Sequence, residues 1–188
     1  MLAIDYYNEK KINKPYLQYN NCQEIITYIS NNQLTSPDII RCWFSHAIPT
    51  NKAIDKIRHF IDNDYCLEIC AGRGLWSFLI GSDITTTDKF VPEYTYTQII
   101  QMNAIDAVTH YLHCNVLLII WPPCDNTASE SIKLFDGDKV IYIGEDKNGC
   151  TGDSLFFEVL DNCYDLVDTI DIPHIYNHND KVYFYVKK

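Results

Sequence analysis

The sequence predicts an α/β fold on a doubly wound, mostly parallel sheet of six or seven strands with an antiparallel last strand. Three observations predict it. From residue 50 onward, short β-branched or apolar runs alternate with amphipathic stretches. The run Asn115-Val-Leu-Leu-Ile-Ile-Trp121 is continuously apolar, as in a strand covered on both faces of a parallel sheet. The segment Cys66-Leu-Glu-Ile-Cys-Ala-Gly-Arg-Gly-Leu75 reads as a buried strand, a tight glycine turn and a helix start.

The elements follow in order. Residues 1–40 are polar and tyrosine-rich, with one short amphipathic helix expected over Cys22–Ile29. Thr50 is placed to cap a helix from Lys52 to Asp62, with Ile54, Ile57, Phe60 and Ile61 on one face. The strand containing Glu68 comes next, then a helix from Leu75. Ile84-Thr-Thr-Thr-Asp88 is a β-branched second strand, and Tyr94–Met102 is expected as the third. A helix over Ala104–His113 leads to the apolar fourth strand. Thr127–Phe135 is helical and ends at Asp136-Gly137. Lys139–Gly144 is the fifth strand, and Asp153 caps a helix over Ser154–Asn162. Leu166–Ile172 and Lys181–Lys187 suit an antiparallel pair joined by a polar loop.

Composition bounds the function. The chain has 188 residues, 47% of them hydrophobic and 13% aromatic, which is enough to bury a sizeable core. The formal net charge of −10 argues against a broad footprint on nucleic acid or an anionic membrane. No run is long and apolar enough to span a bilayer, and the N-terminus lacks a secretory apolar stretch. The eight cysteines are scattered without a Cys-x-x-Cys pair, so reduced, mostly buried thiols in the cytoplasm are expected. His174 and His178 would share a face only on a helix, and Pro173, Asn177 and Asn179 make that segment a loop. No metal is therefore expected.

Candidate site residues cluster at the carboxyl ends of the strands, where ligands bind in open α/β sheets. Gly72 and Gly74 let a ligand approach the backbone, ahead of a helix N-terminus. Glu68 suits a cationic cofactor with an α-amino group better than a phosphate-rich one. Asp88 ends the second strand sixteen residues after Gly72, near the roughly 20-residue spacing of a carboxylate that accepts from ribose hydroxyls. Asn103 ends the third strand and faces either the adenine edge or only a turn.

Glu68, Gly72, Gly74 and Asp88 together resemble the first motif and the following acid of class I S-adenosylmethionine-dependent methyltransferases, with Cys70 in place of the first glycine. The resemblance covers roughly residues 50–188. It implies a Rossmann-like fold, S-adenosyl-L-methionine as cofactor, residues 41–188 as the methyltransferase-like domain and residues 1–40 as an N-terminal helical extension. Ala47-Ile-Pro49, Trp121-Pro-Pro123 and Gly144-Glu…Gly149-Cys-Thr-Gly-Asp153 resemble a small group of methyltransferase-like proteins of eukaryotes and viruses. The Asn-, Ile-, Lys- and Tyr-heavy composition suits an AT-rich genome, viral or protist.

Trp121-Pro-Pro-Cys124 resembles the motif of methyltransferases acting on exocyclic base amines, but Trp121 cannot accept from an amine and Cys124 cannot stack on a base. Adenine-N6 methylation is therefore disfavoured. Trp121 is expected over the cofactor or a flat or cationic substrate. Pro122, Pro123, Cys124 and Asp146 are expected on the substrate side, with Asp125 and Glu145 as candidate bases. One cleft lined by Glu68, Asp88, Trp121 and Glu145 is the expected arrangement. The methyl acceptor is open, a small molecule or protein being favoured over RNA, a cap or other nucleic acid. A non-catalytic binding module is the remaining alternative.

Overall fold

The computed structural model describes residues 21–31, 37–81, 83–174 and 178–188. Residues 1–20 of the expected N-terminal extension lie outside the described residues. In chain order the elements are α1 (Cys22–Asn31), α2 (Pro37–Trp43), α3 (Asn51–Ile61), β1 (Cys66–Ile69), α4 (Leu75–Ile80), β2 (Ile84–Asp88) and β3 (Ile100–Gln101). They continue as α5 (Ala104–His110), β4 (Val116–Ile120), α6 (Thr127–Leu134), β5 (Lys139–Gly144), α7 (Ser154–Cys163), β6 (Tyr164–Asp171) and β7 (Lys181–Lys187).

The seven strands form one sheet in the order β3-β2-β1-β4-β5-β7-β6. Strands β1 to β5 pair in parallel, with Ile69 opposite Ile119. β7 inserts antiparallel between β5 and β6, so the expected antiparallel last strand is present. The chain winds outward from β1 to β3 and then returns to place β4 on the other side of β1. This reversal opens a crevice at the carboxyl ends of β1 and β4.

Alternate residues of β4 feed two cores. Val116, Leu118 and Ile120 pack with α1 to α4, while Leu117 and Ile119 pack with α5 to α7. All five are buried, which explains the unbroken apolar run. Capping follows the sequence. The Thr50 side chain accepts from Ala53 N–H, Asn103 from Asp106 N–H and Asp153 from Phe156 N–H. Arg58 of α3 donates to the Leu79 and Ile80 carbonyls at the end of α4, at 2.6 and 2.7 Å.

Two elements differ from expectation. The strand expected over Tyr94–Met102 shrinks to Ile100–Gln101. Its first half bonds to the glycine turn instead: Tyr96 N–H donates to the Arg73 carbonyl at 2.8 Å and Arg73 Nη1 to the Tyr94 carbonyl at 2.5 Å. α2 was not expected, and Pro37 at its first position suits a helix start.

At the sheet edge, β6 carries a bulge between Leu166 and Asp168. Leu166 and Val167 are exposed there, and Asp168 pairs with Lys56 of α3 at 2.8 Å. Among the described residues no helix is long and apolar enough to cross a membrane.

The two-sided core sets a stability contrast. Ile119→Ala should cost about 2–5 kcal/mol in urea unfolding, by loss of transfer energy and creation of a cavity. Leu166→Ala, at an exposed edge, should change stability by no more than about 0.5 kcal/mol.

Candidate functional site

A cleft of about 1410 Å³ opens at the crevice between β1 and β4. Its floor is the turn after β1. The first residue of that turn, Cys70, has φ 57°, and Gly72 and Gly74 follow at 57° and 71°. A cysteine thus holds the left-handed conformation that glycine occupies without penalty. Directly across, Trp121 leaves β4 with φ 47°. Two non-glycine residues in this conformation, at the ends of adjacent strands and lining the same cleft, are local strain that the surrounding packing sustains.

Hydrogen bonds fix the turn. Asp88 Oδ2 accepts from Gly72 N–H at 2.8 Å and Oδ1 accepts from Phe90 N–H at 2.7 Å. Each carboxylate oxygen keeps a lone pair for another donor. Ala71 N–H donates to the Thr87 carbonyl and Gly74 N–H to the Ala71 carbonyl. A Cβ added at Gly72 would meet nothing within 4 Å, so the space beside this backbone is open. Gly74 serves another purpose: a Cβ there would lie 2.7 Å from Thr97 Cγ2, so this glycine lets the 97–99 segment pack on the turn.

The cleft brings together six of the residues expected in the site: Gly72, Asp88, Asn103, Trp121, Pro123 and Asp125. Asn103 also serves as a helix cap, and Asp125 bonds in the turn that leads into a helix. Asn103 bonds to Asp106 at the start of α5, and Asp125 Oδ1 accepts from Thr127 N–H at the start of α6. Those bonds from Thr127 hold the Asp125 carboxyl below its ordinary range, which makes it a weak base.

The other expected residues lie elsewhere. Glu68 is fully buried beneath the turn, where Ser77 Oγ donates to its Oε2 and its Oε1 has no hydrogen-bond partner. Burial raises its carboxyl to about 8, against the bonding from Ser77. Pro122 is buried, and its carbonyl accepts from Gly152 N–H at 3.1 Å. The Cys124 thiol donates to the Cys150 carbonyl, which joins the loops after β4 and β5. Asp146 is exposed and accepts from Asn148 N–H in its own turn.

Glu145, expected as a base in the cleft, is instead a brace within the loop after β5. Its Oε2 accepts from Cys150 N–H at 2.9 Å and from His178 Nδ1 at 3.1 Å, and Oε1 accepts from Asn179 N–H at 3.0 Å. Burial opposes its ionisation, but the bonds from Cys150, Asn179 and His178 prevail and hold it at about 2. So weak a base does not serve proton abstraction at neutral pH. The position after β5 turned this residue toward its own loop, and nothing local in the sequence marks His178 as its partner.

From the sequence, Arg41 has no place in the site and His46 has only the option of roofing the cofactor, with a surface or core histidine favoured. Arg41 and His46 line the cleft together with Trp121. The Arg41 guanidinium lies 5.1 Å from the Trp121 ring centroid, and the His46 ring stacks on Trp121 at 4.7 Å. Trp121 Nε1 donates to buried Asp180 at 2.8 Å. Arg41 Nη2 donates to His178 Nε2 at 2.7 Å. A guanidinium cannot accept, so Nε2 carries the lone pair and Nδ1 carries the proton that Glu145 accepts.

This arrangement excludes a Cys–His–Glu nucleophile relay. Cys150 Sγ is 3.5 Å from the same Nδ1 that Glu145 contacts, whereas a relay needs the two partners on opposite ring nitrogens. Burial and the Glu145 carboxylate also push the Cys150 thiol up to about 12. All eight cysteines are free thiols.

No protein-family model matches the sequence, and no curated protein is similar to it in sequence. Solved structures share the fold. The tRNA (m1A58) methyltransferase TrmI from Aquifex aeolicus superposes with a TM-score of 0.53 at 10% identity, over 77% of this chain and 72% of that one. A putative hemolysin from Lactococcus lactis gives 0.53 at 10% identity, over 73% of this chain and 84% of that one. A putative S-adenosylmethionine-dependent methyltransferase from Streptococcus mutans gives 0.52 at 12% identity and covers 74% of this chain. The chain spans about half, 49%, of that last protein. The chain therefore has the Rossmann-like α/β fold found in S-adenosylmethionine-dependent methyltransferases.

Glu68 makes stability depend on pH. Unfolded, it ionises near the ordinary value of 4.5; folded, it keeps its proton up to about 8. Its contribution is complete below 4.5 and is lost as pH rises from 4.5 toward 8, because the unfolded chain has released the proton and the folded chain has not. Glu68→Gln should therefore flatten the fall in thermal midpoint between pH 5 and pH 8. An equally steep fall in the variant would show that Glu68 is ionised in the folded protein.

Proposed function

We propose that the protein is an S-adenosylmethionine-dependent methyltransferase acting on a small molecule or a protein side chain. The observation that carries this reading is the cradle at the strand reversal. There Gly72 leaves open space beside Asp88, between two residues held left-handed at the ends of β1 and β4. The residues fit the cofactor. Asp88 would accept from ribose hydroxyls with its remaining lone pairs, Asn103 would flank the adenine, and the turn over Cys70–Gly72 would lie against the amino-acid part. Buried Glu68, protonated and with one oxygen unpartnered, would place a neutral carboxyl group beneath it. The bound cofactor supplies an electrophilic methyl group for in-line displacement.

The chain's own contribution is alignment. Trp121 and Pro123 form a rigid wall beside the cradle, and Arg41 and His46 extend it toward the open side. Asp125, the candidate base in the cleft, is a weak one, its carboxyl held low by Thr127. The acceptor is accordingly one whose attacking atom carries a lone pair without enzymatic deprotonation. Arg41, next to that wall, disfavours a cationic acceptor and suits a neutral or anionic one. The resemblance of the Ala47-Ile-Pro49, Trp121-Pro-Pro123 and Gly149-Cys-Thr-Gly-Asp153 segments to the eukaryotic and viral methyltransferase-like group is consistent with this reading. Eight free thiols suit a reducing setting.

Calorimetry with S-adenosylmethionine tests the reading. The unmodified chain should bind it in the micromolar range. Asp88→Ala should weaken binding about tenfold or more, through loss of charge-assisted hydrogen bonds of roughly 1.5–3 kcal/mol. Gly72→Ala should abolish most binding while costing only about 1–2 kcal/mol of stability for a left-handed Cβ. No heat of binding in the unmodified chain, or equal affinity in all three, refutes the proposal. Tighter association with tRNA or heparin than with neutral polymers would move the acceptor to nucleic acid.

A further inference from the structure

We propose that Glu145, Cys150 and His178 form a site for a zinc-like transition-metal dication, whose occupancy competes with the Arg41–His178 hydrogen bond. The three side chains come from the loop after β5 and from the end of the connection between β6 and β7. Their ligand atoms all lie within 4.8 Å of one another. Around a tetrahedral zinc, bonds of about 2.3 Å to sulfur and about 2.0–2.1 Å to nitrogen and oxygen put S···N near 3.5 Å and N···O near 3.3 Å. Cys150 Sγ is 3.5 Å from His178 Nδ1, and His178 Nδ1 is 3.1 Å from Glu145 Oε2. Both pairs that His178 makes already have the spacing of a coordination shell, and the sulfur and carboxylate oxygen lie within 4.8 Å of each other.

The support behind the ligands is also in place. Glu145 is buried and held by the Cys150 and Asn179 amides, so its carboxylate needs little rearrangement to coordinate. Cys150 is exposed and gives an entry path. Thiolate, imidazole and carboxylate together select zinc or cobalt over magnesium or calcium, which prefer all-oxygen shells. Three protein ligands leave a fourth position for water.

Proton accounting gives the coupling. On binding, the Cys150 thiol loses its proton to solvent, and sulfur donates its lone pair to the ion. The neutral His178 ring moves its proton from Nδ1 to Nε2 and coordinates through Nδ1. The new Nε2–H then faces Arg41 Nη2–H, and two donors cannot bond. Arg41 must leave its place, 2.7 Å from Nε2 and over the Trp121 ring. Because Arg41 lines the cleft, ion binding alters the cleft wall without touching the turn after β1. The site itself does not depend on the methyl-transfer reading.

The test is titration of the metal-stripped, reduced full chain with Co²⁺. Expected are a near-ultraviolet thiolate-to-cobalt charge-transfer band and intense visible bands of tetrahedral cobalt. These should saturate at a single ion per chain and disappear on addition of Zn²⁺. Cys150→Ser should remove the charge-transfer band, while Cys163→Ser, an exposed thiol at the end of α7, should keep it. His178→Gln should lose tetrahedral binding too, which serves as the check if Cys150→Ser is unstable. Arg41→Met should tighten Co²⁺ binding by about tenfold, the equivalent of one released charge-assisted hydrogen bond. The proposal is overturned by the absence of a charge-transfer band in the unmodified chain, by its survival in Cys150→Ser, or by unchanged or weaker binding in Arg41→Met.

Discussion

A parallel strand covered on both faces can offer polar groups only at its ends, and that constraint organises this molecule. β1 and β4 are buried along their whole length between two helical layers. Their side chains are committed to packing, so the chemistry is displaced to the residues that follow each strand. The reversal of winding between them then leaves a crevice at their carboxyl ends. Glu68 is the one departure inside the strands. It is a carboxyl in a fully packed position, bonded to Ser77 and kept protonated by its surroundings. Such a group is costly to bury, and keeping its proton lowers that cost.

Much of this was legible because its causes are local. The apolar run at β4, the caps Thr50 and Asp153, and the turn from Glu68 to Gly74 each follow from spacing within a few residues. Asp88 was legible because the helix and the strand that separate it from Gly72 have a narrow range of lengths. What failed to show has a tertiary origin. The segment 94–99 has the composition of a strand but finds its partners in the Arg73 backbone and side chain. Glu145 meets His178 across 33 residues of sequence, and Arg41 meets His178 across 137. No periodicity links such positions, so the loop brace and the Arg41 wall emerge only when the sheet is assembled.

The loops after β4 and β5 behave as one body. Pro122 bonds to Gly152, Cys124 to the Cys150 carbonyl, and Tyr142 Oη donates to the Glu145 carbonyl at 2.6 Å from within the core. Gly149 lies against the Glu145 side chain, where a Cβ would collide, and Gly152 has φ 69°. The glycines here let two loops share one hydrogen-bond network, rather than giving either loop freedom to swing. Proline rigidity on one side and glycine fit on the other produce a firm rim. The Arg41–His46 wall is anchored separately, by buried Trp43 and Phe44 and by the Tyr96 hydroxyl, which donates to the Trp43 carbonyl.

The bulge in β6 has a consequence for how the protein behaves in a crowded solution. A sheet this wide ends in a row of backbone donors and acceptors that could recruit another chain and grow into a fibre. Here the last strand is kinked between Leu166 and Asp168, and Asp165, Asp168 and Asp171 are spread along it. Lys56 reaches from α3 to pin Asp168. An incoming strand would meet a broken ladder and repeated negative charge before it could use the exposed Leu166 and Val167. The edge thereby acts as a stop codon for sheet growth, written in geometry and charge.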